Sequence, residues 1–265
     1  MNKPERGMRD GNASYAGHPS KAAHRGAFTL VLVRHGESVW NREHRFTGWS
    51  DVDLTSRGEQ QARRAGEMLA REKWEFDLTF TSMLKRCIRS QWLMLEALDQ
   101  PWLPVFTDWR LNERHYGELT GHTHAEAIVA HGSHRVLEWR RSFRARPPAL
   151  PPGDPRDSTI DRRYEGTMRG QLPRTESLAD TTVRVRQFWE EMLKPSIRTG
   201  KRILVCAHGN SLRALVKVLD NISDTDITRL DIPNGVPIVY WFDADIQPLG
   251  RCFPDLPHAT ESNIL

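Results

Sequence analysis

The stretch FTLVLVRHGES, residues 28–38, decides how the chain is read. Its first six residues form a short run, apolar on both faces, that suits a buried parallel strand, and the chain breaks at Gly36 before helix-compatible sequence. The same transition recurs where RILVCA, residues 202–207, runs into HGNSLRALVKVL, residues 208–219. Between the two lie a helical pattern from about Arg57 to Lys73, a strand-like FDLTFTS at 76–82, a helical pattern from about Leu84 to Leu98, and a short WLPVF strand at 102–106. Strands alternating with helices predict an α/β fold with a mostly parallel sheet.

The middle is less regular. Residues His122 to Phe143 read as helical, and the Pro-, Arg- and Asp-rich run RARPPALPPGDPRDSTIDRRYEG, 144–166, reads as a long ordered loop or lid. TESLADTTVRVRQFWEEML, 175–193, carries a helix start with Thr175 or Ser177 as N-cap. IPNGVPIVYWF, 232–242, predicts a last strand, and PDLPHATESNIL, 254–265, a mobile end. Trp92, Met94 and Trp189 have helical neighbours and are expected in a core or an interface, and Cys87 is expected to pack a helix.

The 265 residues, 38% hydrophobic and 27% charged, fit one ordinary globular domain. No run approaches the roughly 20 apolar residues of a membrane span, and residues 1–27 lack the apolar segment of a secretory signal. Cys87, Cys206 and Cys252 are odd in number and widely spaced, so a disulfide framework is not expected and a cytoplasmic location is. A net charge of +4 suits an anionic partner, but there is no dense basic stripe interleaved with aromatics, which argues against nucleic acid and for small phosphates.

A His at the carboxyl end of a buried strand stands where open α/β sheets bind ligands. His35, between Arg34 and Gly36, fits that description. A neutral imidazole attacks phosphorus without a separate base, provided an acceptor such as a backbone carbonyl near Gly36 holds its other nitrogen. His208-Gly209-Asn210 repeats the arrangement, so two imidazoles and two glycine turns can converge on one anion. A phosphoryl group in transfer spreads charge over its oxygens, and Arg, with its planar fork, is the preferred partner.

The segments RHGESVWNREHRFTGWSDVDLTSRGEQQA, TSMLKRC, WRLNERHYGELTG, WRRSF, TESLADT, AHGNSLRALVK and IPNGVPIVY resemble the cofactor-dependent phosphoglycerate mutases of the histidine phosphatase superfamily, over roughly Thr29 to Asp243. The resemblance implies a three-layer sandwich, a six-stranded, mostly parallel sheet flanked by helices. The chain is thus expected to comprise a flexible leader at 1–27, one catalytic domain at 28–243 with a helical and Pro-rich cap or lid insertion at 122–174, and a mobile tail at 244–265. His35 falls on the phosphorylated nucleophile, with Arg34, Arg86 and His208 around the phosphoryl group and Asn41 and Gly209 contacting it. Glu113 falls on the general acid/base. Tyr116, Arg140 and Arg141 match the grip on the substrate's carboxylate and distal phosphate, with Thr47, Gly48 and Asn210 beside them.

The activity so implied interconverts 3-phosphoglycerate and 2-phosphoglycerate, with 2,3-bisphosphoglycerate as phosphoryl primer, no metal, three-carbon phosphorylated acids as substrates, and a homodimer or homotetramer. A phosphatase on the same site, acting on bisphosphoglycerate or another small phosphometabolite, is the alternative, and a phosphometabolite-binding protein with weakened catalysis is the reading from another class. One departure stands out: where the family usually has a substrate-binding Lys, this chain has His124, which trades a permanent charge for a group with an ordinary pKa of ~6.5. Weaker grip, a lower pH optimum or a changed substrate is expected. His115, His122, His131 and His134 lack metal-ligand spacing such as HExxH and predict no metal site.

Overall fold

The computed structural model describes residues 26–166, 170 and 172–253. The leader expected at 1–27 therefore lies almost wholly outside the described residues, as does the end of the tail. Six strands form one sheet: β1 (Phe28–Arg34), β2 (Leu78–Thr81), β3 (Val105–Thr107), β4 (Ile203–Ala207), β5 (Pro237–Phe242) and β6 (Pro248–Cys252). Their order is β3-β2-β4-β1-β5-β6, with β5 alone running against the rest. The α/β sandwich with a mostly parallel six-stranded sheet is the one that the sequence predicts.

Strand pleating sends alternate residues to opposite faces, and both faces are covered. Leu30, Leu32, Ile203, Val205 and Ala207 pack with α6 (Leu178–Phe188), α7 (Lys194–Arg198) and α8 (Gly209–Leu219). Val31, Val33, Leu204 and Cys206 pack with α2 (Ser56–Arg71) and α3 (Lys85–Ala97) on the other face. Thr55 caps α2 and Ser177 caps α6, each hydroxyl accepting a backbone N–H of the first turn. A π-helical turn, Trp189–Leu193, joins α6 to α7. Met94 and Trp189 are buried, as expected of core residues, and Trp92 is 61% exposed, which leaves the interface as its expectation.

Two departures have local causes. The helix expected over 122–143 is two: α4 (His124–His131), capped by Thr123, and α5 (Ser133–Arg141), separated at Gly132. The proline-rich run after it is the ordered loop that was expected, held by short 3-10 turns, Ser158–Ile160 and Arg162–Tyr164. The tail expected to be mobile from residue 244 instead supplies β6, antiparallel to β5. Residues PLGRC have little strand propensity, so the pairing comes from the unsatisfied edge of β5 and not from local preference. Among the described residues no helix is long and apolar enough to cross a membrane.

Candidate active site

Strand register builds the centre of the site. β1 and β4 are parallel neighbours with Arg34 opposite Ala207, and the His35 N–H donates to the Ala207 carbonyl at 3.0 Å. The residue after each strand is a histidine, so neighbouring strand ends bring His35 and His208 together with ring centroids 4.9 Å apart, edge to face. The turn after His35 is pressed against the start of α2: a Cβ on Gly36 would lie 2.0 Å from the Gly58 carbonyl oxygen, which excludes any side chain there. That close approach fixes the direction in which His35 leaves the strand.

His35 is buried, 2% exposed, and its Nδ1 lies 2.6 Å from the Gly36 carbonyl oxygen. The carbonyl can only accept, so Nδ1 carries the proton and Nε2 keeps its lone pair. Burial, and then the charges of Arg86 and Arg34, push the His35 pKa well down, which keeps the ring neutral at pH 7. His208 is likewise held neutral by burial, Arg86 and His35.

Arg86, on α3, is 1% exposed and donates to the carbonyls of Ser50 and Gly48, both at 2.8 Å. Arg34 donates to the Ile232 carbonyl at 2.7 Å and lies over Gly209, where a Cβ would come within 3.3 Å of its Cζ. These two guanidiniums border a cavity of about 200 Å³ lined also by His35, Asn41, Thr47, Glu113, Tyr116, His124, Arg140, Arg141, Gly209 and Asn210. Most of the residues expected from the sequence thus share one cavity. His208 and Gly48 do not line it: His208 is fully buried behind His35, and Gly48 contributes its carbonyl to Arg86.

Glu113 is held in place from several sides. Its Oε1 accepts the backbone N–H of Arg114 at 2.7 Å and of Asn210 at 3.2 Å. Its backbone carbonyl accepts from Trp49 Nε1 at 2.6 Å and from Arg184 at 3.0 Å. Arg184 is in turn ion-paired with Glu176, both nearly fully buried, and also donates to the carbonyls of Arg110 and Asn112. Glu176 closes the frame by accepting the His115 N–H at 2.8 Å. Glu176 and Arg184 were not singled out from sequence as site residues. Their signal was a carboxylate and an arginine eight residues apart at a helix start, which reads locally as capping.

Toward the other end, Asn210 donates to the Tyr116 hydroxyl at 3.1 Å and accepts from Arg213 at 3.0 Å. Arg213, a third residue that sequence reading missed, faces the cavity with its Nε unpartnered among the described residues. Burial, with Arg114 nearby, lowers its pKa to about 10. His124 begins α4, 4.7 Å from the Phe46 ring and 6.3 Å from His44. Burial, then Arg140 and His44, push its pKa down to about 4, so it is uncharged at pH 7. In all, six arginines and two carboxylates line the cavity, an excess of positive charge suited to an anion carrying more than one charge. Among the described residues, no group of three His, Cys, Asp or Glu side chains is placed to hold a metal ion. His131 instead lies on Trp139, and His115 accepts the Gly117 N–H.

Solved structures of the same fold include a mycobacterial glucosyl-3-phosphoglycerate phosphatase in complex with VO3, 24% identical at a TM-score of 0.62, covering 80% of this chain and 92% of that one. A putative alpha-ribazole-5'-P phosphatase from Escherichia coli is 20% identical at 0.63, covering 85% and 94%. Bacillus stearothermophilus YhfR is 22% identical at 0.63, covering 89% and 98%. Residues 30–169 and 154–245 match the profile of the histidine phosphatase superfamily, branch 1, a span that takes in both histidines, Arg86 and Glu113. With that match added to the two strand-end histidines meeting edge to face at the wall of an arginine-lined cavity, the chain belongs to the histidine phosphatase superfamily.

Proposed function

We propose that the protein is a phosphatase for a small phosphomonoester bearing a second anionic group, working through a phosphohistidine at His35. The observation that carries this reading is the pairing of His35 Nδ1 with the Gly36 carbonyl, which leaves Nε2 as a lone-pair nucleophile beside Arg34 and Arg86. Nε2 attacks phosphorus, the bond from phosphorus to the leaving oxygen breaks, and Glu113 gives that oxygen its proton. Water then attacks the phosphohistidine, Glu113 takes back a proton, and inorganic phosphate leaves with His35 regenerated. Arg34 and Arg86 stabilise the charge that builds on the transferred oxygens, and no metal is needed. Asn41 and the Gly209 backbone border the same end of the cavity, and Thr47, Tyr116, Arg140, Arg141 and Asn210 receive the rest of the substrate.

The fold relatives named as phosphatases favour water as the acceptor. A second reading, the phosphoglycerate mutase with a 2,3-bisphosphoglycerate primer, draws on the long motif resemblance and on Arg140 and Arg141 facing the cavity. Incubation with 2,3-bisphosphoglycerate and with 3-phosphoglycerate separates the two. Steady release of inorganic phosphate is the expected result, whereas equilibration of the two monophosphates without it would replace the first reading by the second. His35→Ala should lower either activity by about four orders of magnitude or more. An active His35→Ala protein would end both.

A further inference from the structure

Behind the reaction centre, the buried ring of His208 has one nitrogen in contact and one without a partner. Nε2 lies 2.8 Å from Ser82 Oγ and 3.3 Å from Cys87 Sγ, while Nδ1 is buried at the start of α8 near the Ser211 N–H, with no hydrogen bond of good geometry among the described residues. Ser82 follows β2, which pairs with β4 in the sheet, and is fully buried, as is Cys87 on α3.

Proton counting decides which ring nitrogen is protonated. The Ser82 oxygen already accepts the Leu84 N–H at 3.2 Å, so the hydroxyl proton needs an acceptor of its own. His208 Nε2 is the acceptor within reach. Were Nε2 protonated instead, the serine oxygen would take two donors and its own proton would be stranded in a dry interior, at the desolvation cost of an unmet donor. The thiol of Cys87 is a weak donor at longer range and adds to the same polarity.

We infer that Ser82 is a positioning residue: by donating to Nε2 it locks His208 in the tautomer protonated at Nδ1, turning the ring into an N–H donor for a phosphoryl group on its neighbour His35. The role rests on the phosphohistidine reading above, but the tautomer does not. In this tautomer the ring supports bound phosphate as a neutral dipole, and the fixed cations at the same end remain Arg34 and Arg86. The interior around the two rings thus holds two complementary tautomers. His35, bonded to Gly36, offers a lone pair at Nε2 to phosphorus, and His208, bonded by Ser82, offers a hydrogen at Nδ1 to oxygen.

The ring tautomer is read directly by two-bond 15N–1H correlation spectra of the full chain labelled at histidine, with His208→Gln identifying the signals. The expected spectrum has Nδ1 protonated in wild type, in Cys87→Ala and in Ser82→Thr, and a shift toward Nε2 protonation in Ser82→Ala. Inorganic phosphate should bind Ser82→Ala about tenfold more weakly than wild type, with Ser82→Thr restoring most of the loss. Nε2 protonation in wild type overturns the inference whatever the fate of the variants, and so does a tautomer that follows Cys87→Ala instead. Nδ1 protonation in a wild-type protein whose His35 takes up no phosphoryl group from any phosphomonoester leaves the tautomer standing and removes the phosphohistidine reading alone.

Discussion

The two ends of the cavity are built differently. At the reacting end, His35, Arg86 and His208 are at most 2% exposed and spring from β1, α3 and the end of β4, in contact with the main core. At the far end, Arg140, Arg141 and His124 come from α4 and α5, whose own apolar cluster is Phe46, Leu119, Ala127, Val136 and Trp139. Val129 there is 88% exposed and Leu137 56%. In the proposed reading, chemistry is thus tied to backbone register, whereas recognition hangs on two short helices with a small core. Such a division would let the far end change its side chains while the reaction is kept, and His124, at the position where the resemblance to the mutases implies a Lys, would be one such change.

Substitutions can break that comparison. After the loss of His35 itself, removing the proposed acid/base has the largest expected effect on rate: Glu113→Gln should lower kcat by about 10²- to 10⁴-fold and by a similar factor for every phosphomonoester tested. A loss confined to doubly anionic substrates would move Glu113 to the recognition end. Glu176→Ala leaves Arg184 charged and unpaired in the interior, so chemical denaturation should report about 3–5 kcal/mol of lost stability. Stability unchanged within error would mean that the frame around Glu113 is held by other contacts.

Smaller effects are expected at the far end, and they should be selective. Arg140→Ala and Arg141→Ala should each lower kcat/KM about 10- to 100-fold for substrates with a second anionic group, with little change for an aryl phosphate that lacks one. Equal losses on both substrate types would erase the distinction between the two ends. For His124→Lys, the smallest, kcat/KM for a doubly anionic substrate should rise about fivefold at pH 8. Because burial and Arg140 hold the His124 pKa near 4, the native side chain is neutral from pH 8 down to about pH 5. The ratio of variant to parent should stay constant over that window unless bound substrate itself protonates His124, and a ratio that shrinks as pH falls would reveal such protonation.

Acid should also act on stability through the buried histidines. His115, buried and held near pKa 4, is lower in the folded chain than its ordinary 6.5. The unfolded chain therefore binds a proton first, so this contribution is intact above pH 6.5 and is lost as pH falls toward 4. A Tm that declines over that interval, and declines less in His115→Gln, is the expected result.

What could be read in the sequence follows the same division. RHG and HGN were legible as partners because each ends a buried strand, and parallel neighbours in register convert two distant tripeptides into one place. Arg86 and Glu113 emerged through longer motifs. Ser82 and Cys87 did not, since their meaning depends on which edge of His208 they touch, and no local pattern records that. Arg184 and Glu176 likewise read as ordinary helix-start residues until the 110–115 loop is folded against them. The helix break at Gly132 had a glycine to announce it, whereas strand β6 had only a proline and a glycine, residues that usually argue the other way.

That sixth strand bears on how the protein is handled. β5 is buried along most of its length and carries Tyr240 and Phe242 into the core. Shortening the chain at residue 244, at the end of the recognisable motifs, would strip the outer partner from β5 and present a bare hydrogen-bonding ladder to other molecules. Such a truncated protein invites edge-to-edge aggregation, and any shorter version intended for crystallisation should keep the segment through Phe253.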